Sequence, residues 1–188
     1  MLDAARADAP WAYQRLFDWL SPAVVGYLRG RRAEDPDGLA NEVFLRVFRN
    51  LRRFEGNEGA FRSWVFTIAH HVLADDCRRR RRRPALAEGE LPDIAGPSST
   101  EADALAHIGL SRVSLLLDEL SPDQRDVLLL RVVADLTVDQ VAHTLGKTTG
   151  SVKQLQRRAL ATLRRRLRTA DPEHVGDPVD VSAVLAAP

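Results

Sequence analysis

The sequence predicts an all-α protein of two small helical domains joined by a flexible linker, and three observations carry that prediction. Apolar residues recur at helical spacing in both halves; the clearest run is Leu39, Val43, Val47 and Leu51, with Phe44 and Phe48 alongside. Helix starts are marked by Ser or Thr followed by Pro or Gln at the offsets that caps require. No segment alternates apolar and polar residues between turns as a half-buried strand would.

The first domain is placed at 1–83. Its helical pattern begins near Ala9, with "WAYQRLFDWL" as a short helix. Ser21-Pro22 then predicts a restart, since Ser caps well and Pro suits the first helical position. "AEDPDG" breaks the chain, "LANEVFLRVFRNL" forms the next helix, and "RFEGNEG" is a loop. A long helix follows over Ala60 to Arg83, with Phe61, Val65, Ile68 and Val72 on one stripe.

Residues 84–104, containing "PALAEGELPDIAGPSST", hold three prolines and two glycines without an apolar face, which reads as a flexible linker. The second domain is placed at 105–168. "SPDQRDVLLLRVV" opens with Ser121, Pro122 and Gln124 as a capping box, and "LTVDQVAHTLG" repeats the device with Thr137 and Gln140 before Gly146 stops it. A last helix starts near Thr149, and 169–188 reads as an acidic mobile tail.

Composition narrows the function classes. At 188 residues and 45% hydrophobic content the chain can build real cores. Its single cysteine, Cys77, forbids an intrachain disulfide and fits a reducing cytoplasm. No apolar run is long enough to predict a membrane span, and "MLDAARADAP" does not read as a signal peptide. The net charge of +1 hides a segregation. Arg78 to Arg83 are six consecutive arginines, whereas Glu88, Glu90, Asp93, Glu101 and Asp103 cluster in the linker and Asp171, Glu173, Asp177 and Asp180 in the tail. Basic folded parts with acidic connectors suggest a polyanion partner.

The last helix, within "LGKTTGSVKQLQRRALATLRRRL", sharpens this. At about 100° per residue, Val152, Leu155, Ala159, Leu160, Leu163 and Leu167 share one arc, while Lys153, Gln154, Arg157, Arg164 and Arg168 point away. A capped short helix and a glycine turn precede it, which is the layout of a helix-turn-helix. Lys153, Gln154 and Arg157 would then reach base edges in a major groove, with Thr148, Thr149 and Ser151 holding phosphate at the helix start. In the first domain, Phe61, Trp64 and Phe66 near the arginine run suit single-stranded nucleic acid, since bases stack on rings while arginines hold the backbone. The loop "FEGNEG" could cup an extruded base. His70, His71, Asp75, Asp76 and Cys77 lack a third ligand at proper spacing, so no metal is expected. No nucleophile set or phosphate-cradling glycine loop occurs, so neither a cofactor nor an enzyme is expected.

Together these stretches resemble the extracytoplasmic-function (ECF) sigma factors of bacterial RNA polymerase. "LANEVFLRVFRNLRRF" is similar to the family's second-region helix, and "FRSWVFTIAHHVLADDCRRR" to its helix for melting the promoter and reading the minus-ten element. "LDELSPDQRDVLLLRVVADLTVDQVAHTLGKTTGSVKQLQRRALATLRRRL" is similar to its fourth-region helix-turn-helix. The resemblance implies a protein that binds core RNA polymerase, directs it to promoter DNA and does no chemistry itself. It implies that Asn41, Glu42, Phe44, Leu45, Arg46 and Arg49 lie on the helix that docks on the clamp of the largest subunit. Asn57, Glu58, Arg62, Trp64 and His71, with Arg78 and Arg79 of the arginine run, would take the minus-ten strand. Thr148, Thr149, Ser151, Lys153, Gln154, Arg157 and Arg158 would take the minus-thirty-five duplex. The acidic linker would thread the polymerase's RNA path, and an anti-sigma factor would hold the protein inactive.

Some positions depart from the family pattern. Gly38 and Asn41 replace the usual Asp and Gln of its second-region helix, His71 replaces an Asn, and the "FEGNEG" loop is one residue longer. The alternative reading is a conventional dimeric helix-turn-helix repressor, which would bind a palindromic site without polymerase and gives the first domain no use for its arginines.

Overall fold

Most of the longer helices begin where a side chain satisfies one of the first free N–H groups. The computed structural model describes residues 1–82 and 113–170. Helix α1 (Leu2–Arg6) leads into α2 (Pro10–Gly30) and α3 (Pro36–Asn50); a 3₁₀ turn (Leu51–Arg53) and a short loop then precede α4 (Glu58–Arg82). Residues 113–118 are helical (α5) and are followed by α6 (Pro122–Val132), α7 (Val138–Leu145) and α8 (Thr149–Ala170). No described residue is in a strand. The linker 84–104 and the tail beyond residue 170 lie outside the described residues, as does Arg83.

The capping boxes form as their spacing predicts. Ser121 and Gln124 cap α6 reciprocally, as Thr137 and Gln140 cap α7. Gly146 ends α7 in the left-handed conformation at φ 62°, which glycine adopts without steric cost. Asp35 caps α3 by accepting the Gly38 N–H at 2.8 Å. A Cβ on residue 38 would strike the Asp35 carboxylate, so the family's usual Asp could not sit there without moving this cap.

Two expectations are corrected. Helix α2 does not restart at Ser21; it runs unbroken through Pro22. Pro22 is exposed, while Leu16, Leu20, Val24, Tyr27 and Leu28 are fully buried along one stripe across it. Continuous burial of that stripe outweighs the interrupted backbone hydrogen bonding at proline. Helix α1 was not expected from the sequence; it buries Leu2 and Ala5 beneath the first domain.

Helices α2, α3 and α4 form the first core, filled by Leu16, Leu20, Val43, Val47, Phe61 and Phe66. Helix α8 packs on α6 and α7 through Val152 and Ala159, both fully buried. The two halves also rest on each other, α2 against α6 and α4 against α7, so that one apolar cluster runs from Leu2 to Val152.

Candidate nucleic-acid interface

In α8 the sequence pattern becomes a surface. Val152 and Ala159 are buried, Leu155, Leu160 and Leu163 half-buried, and Lys153, Gln154, Arg157 and Arg158 exposed. Lys153 and Arg157, like Gln154 and Arg158, are one turn apart, so the four make a single patch. Thr148 caps the helix, its hydroxyl accepting the Ser151 N–H at 3.2 Å. Thr148 and Thr149 are exposed and Ser151 half-buried at a helix N-terminus, the end that favours anions.

The second surface is assembled from several elements. A cleft of about 480 Å³ opens where α3, the 3₁₀ turn, the following loop and α4 meet. Phe54, Trp64 and Ile68 form its apolar wall; Arg46, Asn50, Arg53, Glu55 and His71 form its polar rim. The Phe54 and Trp64 rings stack with centroids 5.0 Å apart and planes 24° from parallel. Arg6 of α1 braces the loop, with its guanidinium 5.6 Å from the Phe54 centroid and a 3.2 Å hydrogen bond to the Gly56 carbonyl. Gly56 has φ 144°, and a Cβ there would lie 3.0 Å from Ala60. This tight loop therefore needs glycine.

The remaining residues expected in the first-domain site fall in different settings. Asn57 is exposed and caps α4, its side-chain oxygen accepting the Ala60 N–H at 2.9 Å. Glu58 is exposed in the first turn. Arg62 lies over the Trp19 ring at 5.1 Å and donates at 3.0 Å to the Ala134 carbonyl of the second half. Phe61 and Phe66 are core residues, so Trp64 alone of the three aromatic candidates lines the cleft. Arg78 and Arg79 keep 64% and 61% of their side chains exposed while pairing with Asp75 and Asp76. Arg78's hydrogen bond is the main force holding the Asp75 carboxyl below its ordinary range.

On α3, Asn41, Leu45 and Arg49 are exposed and one turn apart, with Leu45 55% exposed. Glu42 and Arg46 pair with each other beside them. Phe44 is buried against Phe17 at 4.7 Å, so it supports this face from within. Sequence reasoning missed Asn50, Arg53 and Ile68, and took in Glu55 only as part of the "FEGNEG" loop. Ile68 was read only as core, although it stands one turn after Trp64 on the same side of α4.

Among the described residues no three His, Cys, Asp or Glu side chains gather as metal ligands. None of the described helices is long and apolar enough to cross a membrane. Burial, aided by Arg31 and His71, lowers His70 to about 4. Its ring is therefore neutral at physiological pH.

Comparison with known proteins matches two separate stretches of the chain. Residues 16–83 match the family model for sigma-70 region 2, and residues 116–165 match sigma-70 region 4. The ECF RNA polymerase sigma factor BldN of Streptomyces coelicolor is 33% identical over 172 residues, covering 89% of this chain but 64% of BldN. SigD of Mycobacterium tuberculosis, also an ECF sigma factor, is 33% identical over 179 residues, covering 87% of this chain and 82% of SigD. The structure of CnrH in complex with the cytosolic domain of CnrY superposes with a TM-score of 0.65 at 22% identity, over 89% of this chain and 95% of CnrH, which shows the shared fold. With a region 2 whose cleft is walled by aromatic rings and a region 4 that presents a basic helix, this chain belongs to the ECF sigma factors of RNA polymerase.

Proposed function

We propose that the protein binds core RNA polymerase in the cytoplasm and directs promoter-specific initiation, without chemistry of its own. The observation that carries this reading is the pairing, in one chain, of two different nucleic-acid surfaces: a basic helix-turn-helix face on α8 and an aromatic cleft on α4. Duplex DNA suits the first, because an exposed helix enters a major groove. Unpaired DNA suits the second, because a base must leave its stack to reach a cleft of this size.

In detail, Lys153, Gln154, Arg157 and Arg158 read the minus-thirty-five element while Thr148, Thr149 and Ser151 hold its phosphates. A base extruded from the minus-ten element enters the cleft and stacks near Trp64 and Phe54, with His71, Asn50 and Glu55 at its polar edge. Asn57 shapes the loop through its cap, Glu58 stands at its rim, and Arg62, Arg78 and Arg79 attract the strand. Asn41, Glu42, Leu45, Arg46 and Arg49 dock on the clamp of the largest subunit, with Phe44 behind them. Residues 1–83 and 105–168 act as the two working domains, joined by the acidic linker 84–104 and followed by the tail. An anti-sigma factor regulates them. The match of residues 16–83 to region 2 supports this reading over a dimeric repressor, which has no use for such a domain. Run-off transcription with purified core polymerase tests it: a promoter-dependent transcript is expected, and its absence with folded protein overturns the proposal.

A further inference from the structure

The loop that closes the aromatic cleft is fastened from the start of the chain. Between Arg52 and Ala60 only the Phe54 side chain is half-buried; the rest are exposed. A stretch with so few apolar contacts sits at the low end of local stability. Polar ties from α1 and the turn after it compensate. One Nη of Arg6 donates to the Asp3 carboxylate at 2.9 Å, the other to the Gly56 carbonyl at 3.2 Å, and the guanidinium carbon lies 5.6 Å from the Phe54 centroid. Two residues later, Asp8 takes φ 59° and meets Arg52 of the 3₁₀ turn, whose Nε donates to its carboxylate at 3.2 Å. The Tyr13 hydroxyl donates to the same carboxylate at 2.7 Å, and the Tyr13 and Phe48 rings meet edge to face with centroids 5.2 Å apart. The tied positions, Arg52 and Gly56, bracket Arg53, Phe54 and Glu55, and all three of these line the cleft.

Burial of Leu2 and Ala5 anchors α1, which packs against the 3₁₀ turn. Its polar side chains are thereby carried to the loop. Arg6 keeps only 28% of its side chain exposed and directs its donors at the protein, so it is poorly placed to hold a phosphate. Its guanidinium, the Phe54 ring and the Trp64 ring follow one another in contact, the two rings stacked at 5.0 Å. A shift of the arginine therefore reaches the wall on which a base would stack. Lysine would supply the charge without the contact, because one ammonium on a flexible stem does not reproduce the fixed directions of a planar fork. The match to sigma-70 region 2 begins at residue 16, so Arg6, Asp8 and Tyr13 all precede it.

We infer that residues 2–8 are a positioning element for the base cleft: Arg6 sets the Phe54 ring and the Gly56 backbone, and Asp8 sets the 3₁₀ turn through Arg52. Neither residue touches the base. Together they fix where the Phe54 ring, the Glu55 carboxylate and the Arg53 guanidinium stand before a strand arrives. Ordering these side chains in advance removes that cost from binding. The inference rests on the proposed function above and adds to it the residues that shape its minus-ten site.

The full chain tests this in two arms. In the first, no ligand is added and hydrogen exchange is followed in peptides spanning 51–61. Arg6→Ala should quicken it by about tenfold, as expected for the loss of a hydrogen bond from a charged donor, while α2 and α3 exchange as before. Unchanged exchange at 51–61 overturns the brace; equal quickening throughout the first domain also overturns it, because Arg6 would then hold the fold and not the loop. The second arm measures binding of single-stranded DNA of randomised sequence carrying one 2-aminopurine, since stacking on aromatic rings tolerates any base. Emission of 2-aminopurine falls when it stacks. Arg6→Ala should weaken binding by roughly threefold to tenfold and raise the emission of the bound strand. Arg6→Lys should do the same; full restoration by lysine makes Arg6 a simple positive charge and overturns positioning. Asp8→Asn, which tolerates the left-handed turn, should move both readouts in the same direction by less, and no movement overturns the role of Asp8. In a Trp64→Ala background the effect of Arg6→Ala on affinity should vanish; additive losses place its action outside the cleft and overturn the inference. A starting protein that binds no strand argues against the proposed function, while the exchange arm still judges the brace.

Discussion

Helix α8 and the C-terminal half of α4 are both rich in arginine, yet they hold it differently. Lys153, Gln154, Arg157 and Arg158 stand on one exposed face, opposite Val152 and Ala159. Arg78, Arg79 and Arg80 instead lean on acids: Asp75, Asp76, Glu42 and Glu34. Part of the arginine run thus fastens the end of α4 to its surroundings and leaves a smaller net field for DNA. A charge count would rank the run above α8 as a nucleic-acid site. Geometry leaves more unpaired charge on the α8 face, and the proposed function puts the first domain's specificity in the cleft upstream of the run.

The sharpest way to break this comparison is at the cleft. Trp64→Ala removes one side of the Phe54 stack and one apolar wall. Because Trp64 is half-buried, its folding cost should fall at the low end for a core aromatic, about 3 kcal/mol, detectable in denaturant unfolding. Among molecules that remain folded, promoter opening should fail more than closed-complex binding. Permanganate reactivity at the start site is the readout, and normal reactivity would remove Trp64 from the site. On α8, Arg157→Ala should weaken upstream recognition by roughly 1–3 kcal/mol if the guanidinium reads a base. Competition between promoters differing only at the minus-thirty-five element measures it; unchanged selectivity would leave Arg157 a phosphate contact.

The contrast also explains what was legible in the sequence. The α8 face is written within one helix, so periodicity alone separates Val152 and Ala159 from Lys153 and Arg157. The capping boxes at Ser121 and Thr137 are equally local. The cleft draws on Asn50, Arg53, Glu55 and Ile68 from separate elements, and no spacing rule joins them. Pro22 misled for a related reason: the tendency of proline to start a helix is local, whereas the buried stripe from Leu16 to Leu28 is a tertiary fact. The seam between the halves was invisible because Gly26 and Gly30 gain meaning only when Leu129 and Val133 lie against them.

That seam supplies the next test. Burial pushes Asp126 up to about 6 against the pull of Arg31, the Tyr27 hydroxyl and Arg125, with Asp123 adding to the rise. The folded form therefore binds the Asp126 proton more readily than the unfolded chain. The associated stability is present in full below the ordinary carboxyl value of 3.8 and is lost as pH rises through about 6. For His70, lowered to about 4 from 6.5, the stability is present above 6.5 and is lost as pH falls toward 4. In the native protein the two slopes oppose each other between these limits. Asp126→Asn should expose the His70 slope, with stability falling on acidification by about 1–2 kcal/mol. His70→Gln should expose the Asp126 slope with the opposite sign. Denaturant midpoints at pH 7 and pH 5 measure both; parallel pH profiles in the two variants would rule out this pairing.

The smallest effect is expected in the arginine run itself. Arg79 is 61% exposed and pairs with Asp76 at 3.1 Å and Glu42 at 3.9 Å. Exposed pairs of this kind contribute about 0.2–1 kcal/mol, so Arg79→Ala should barely move the unfolding midpoint. Its effect on DNA should be uniform across promoter sequences and should shrink with added salt, because a phosphate contact carries no base information. If Arg79→Ala instead changed which minus-ten sequences are opened, as strongly as Trp64→Ala changes opening itself, the arginine run would be a reading surface. The assignment of specificity to the cleft would then be wrong.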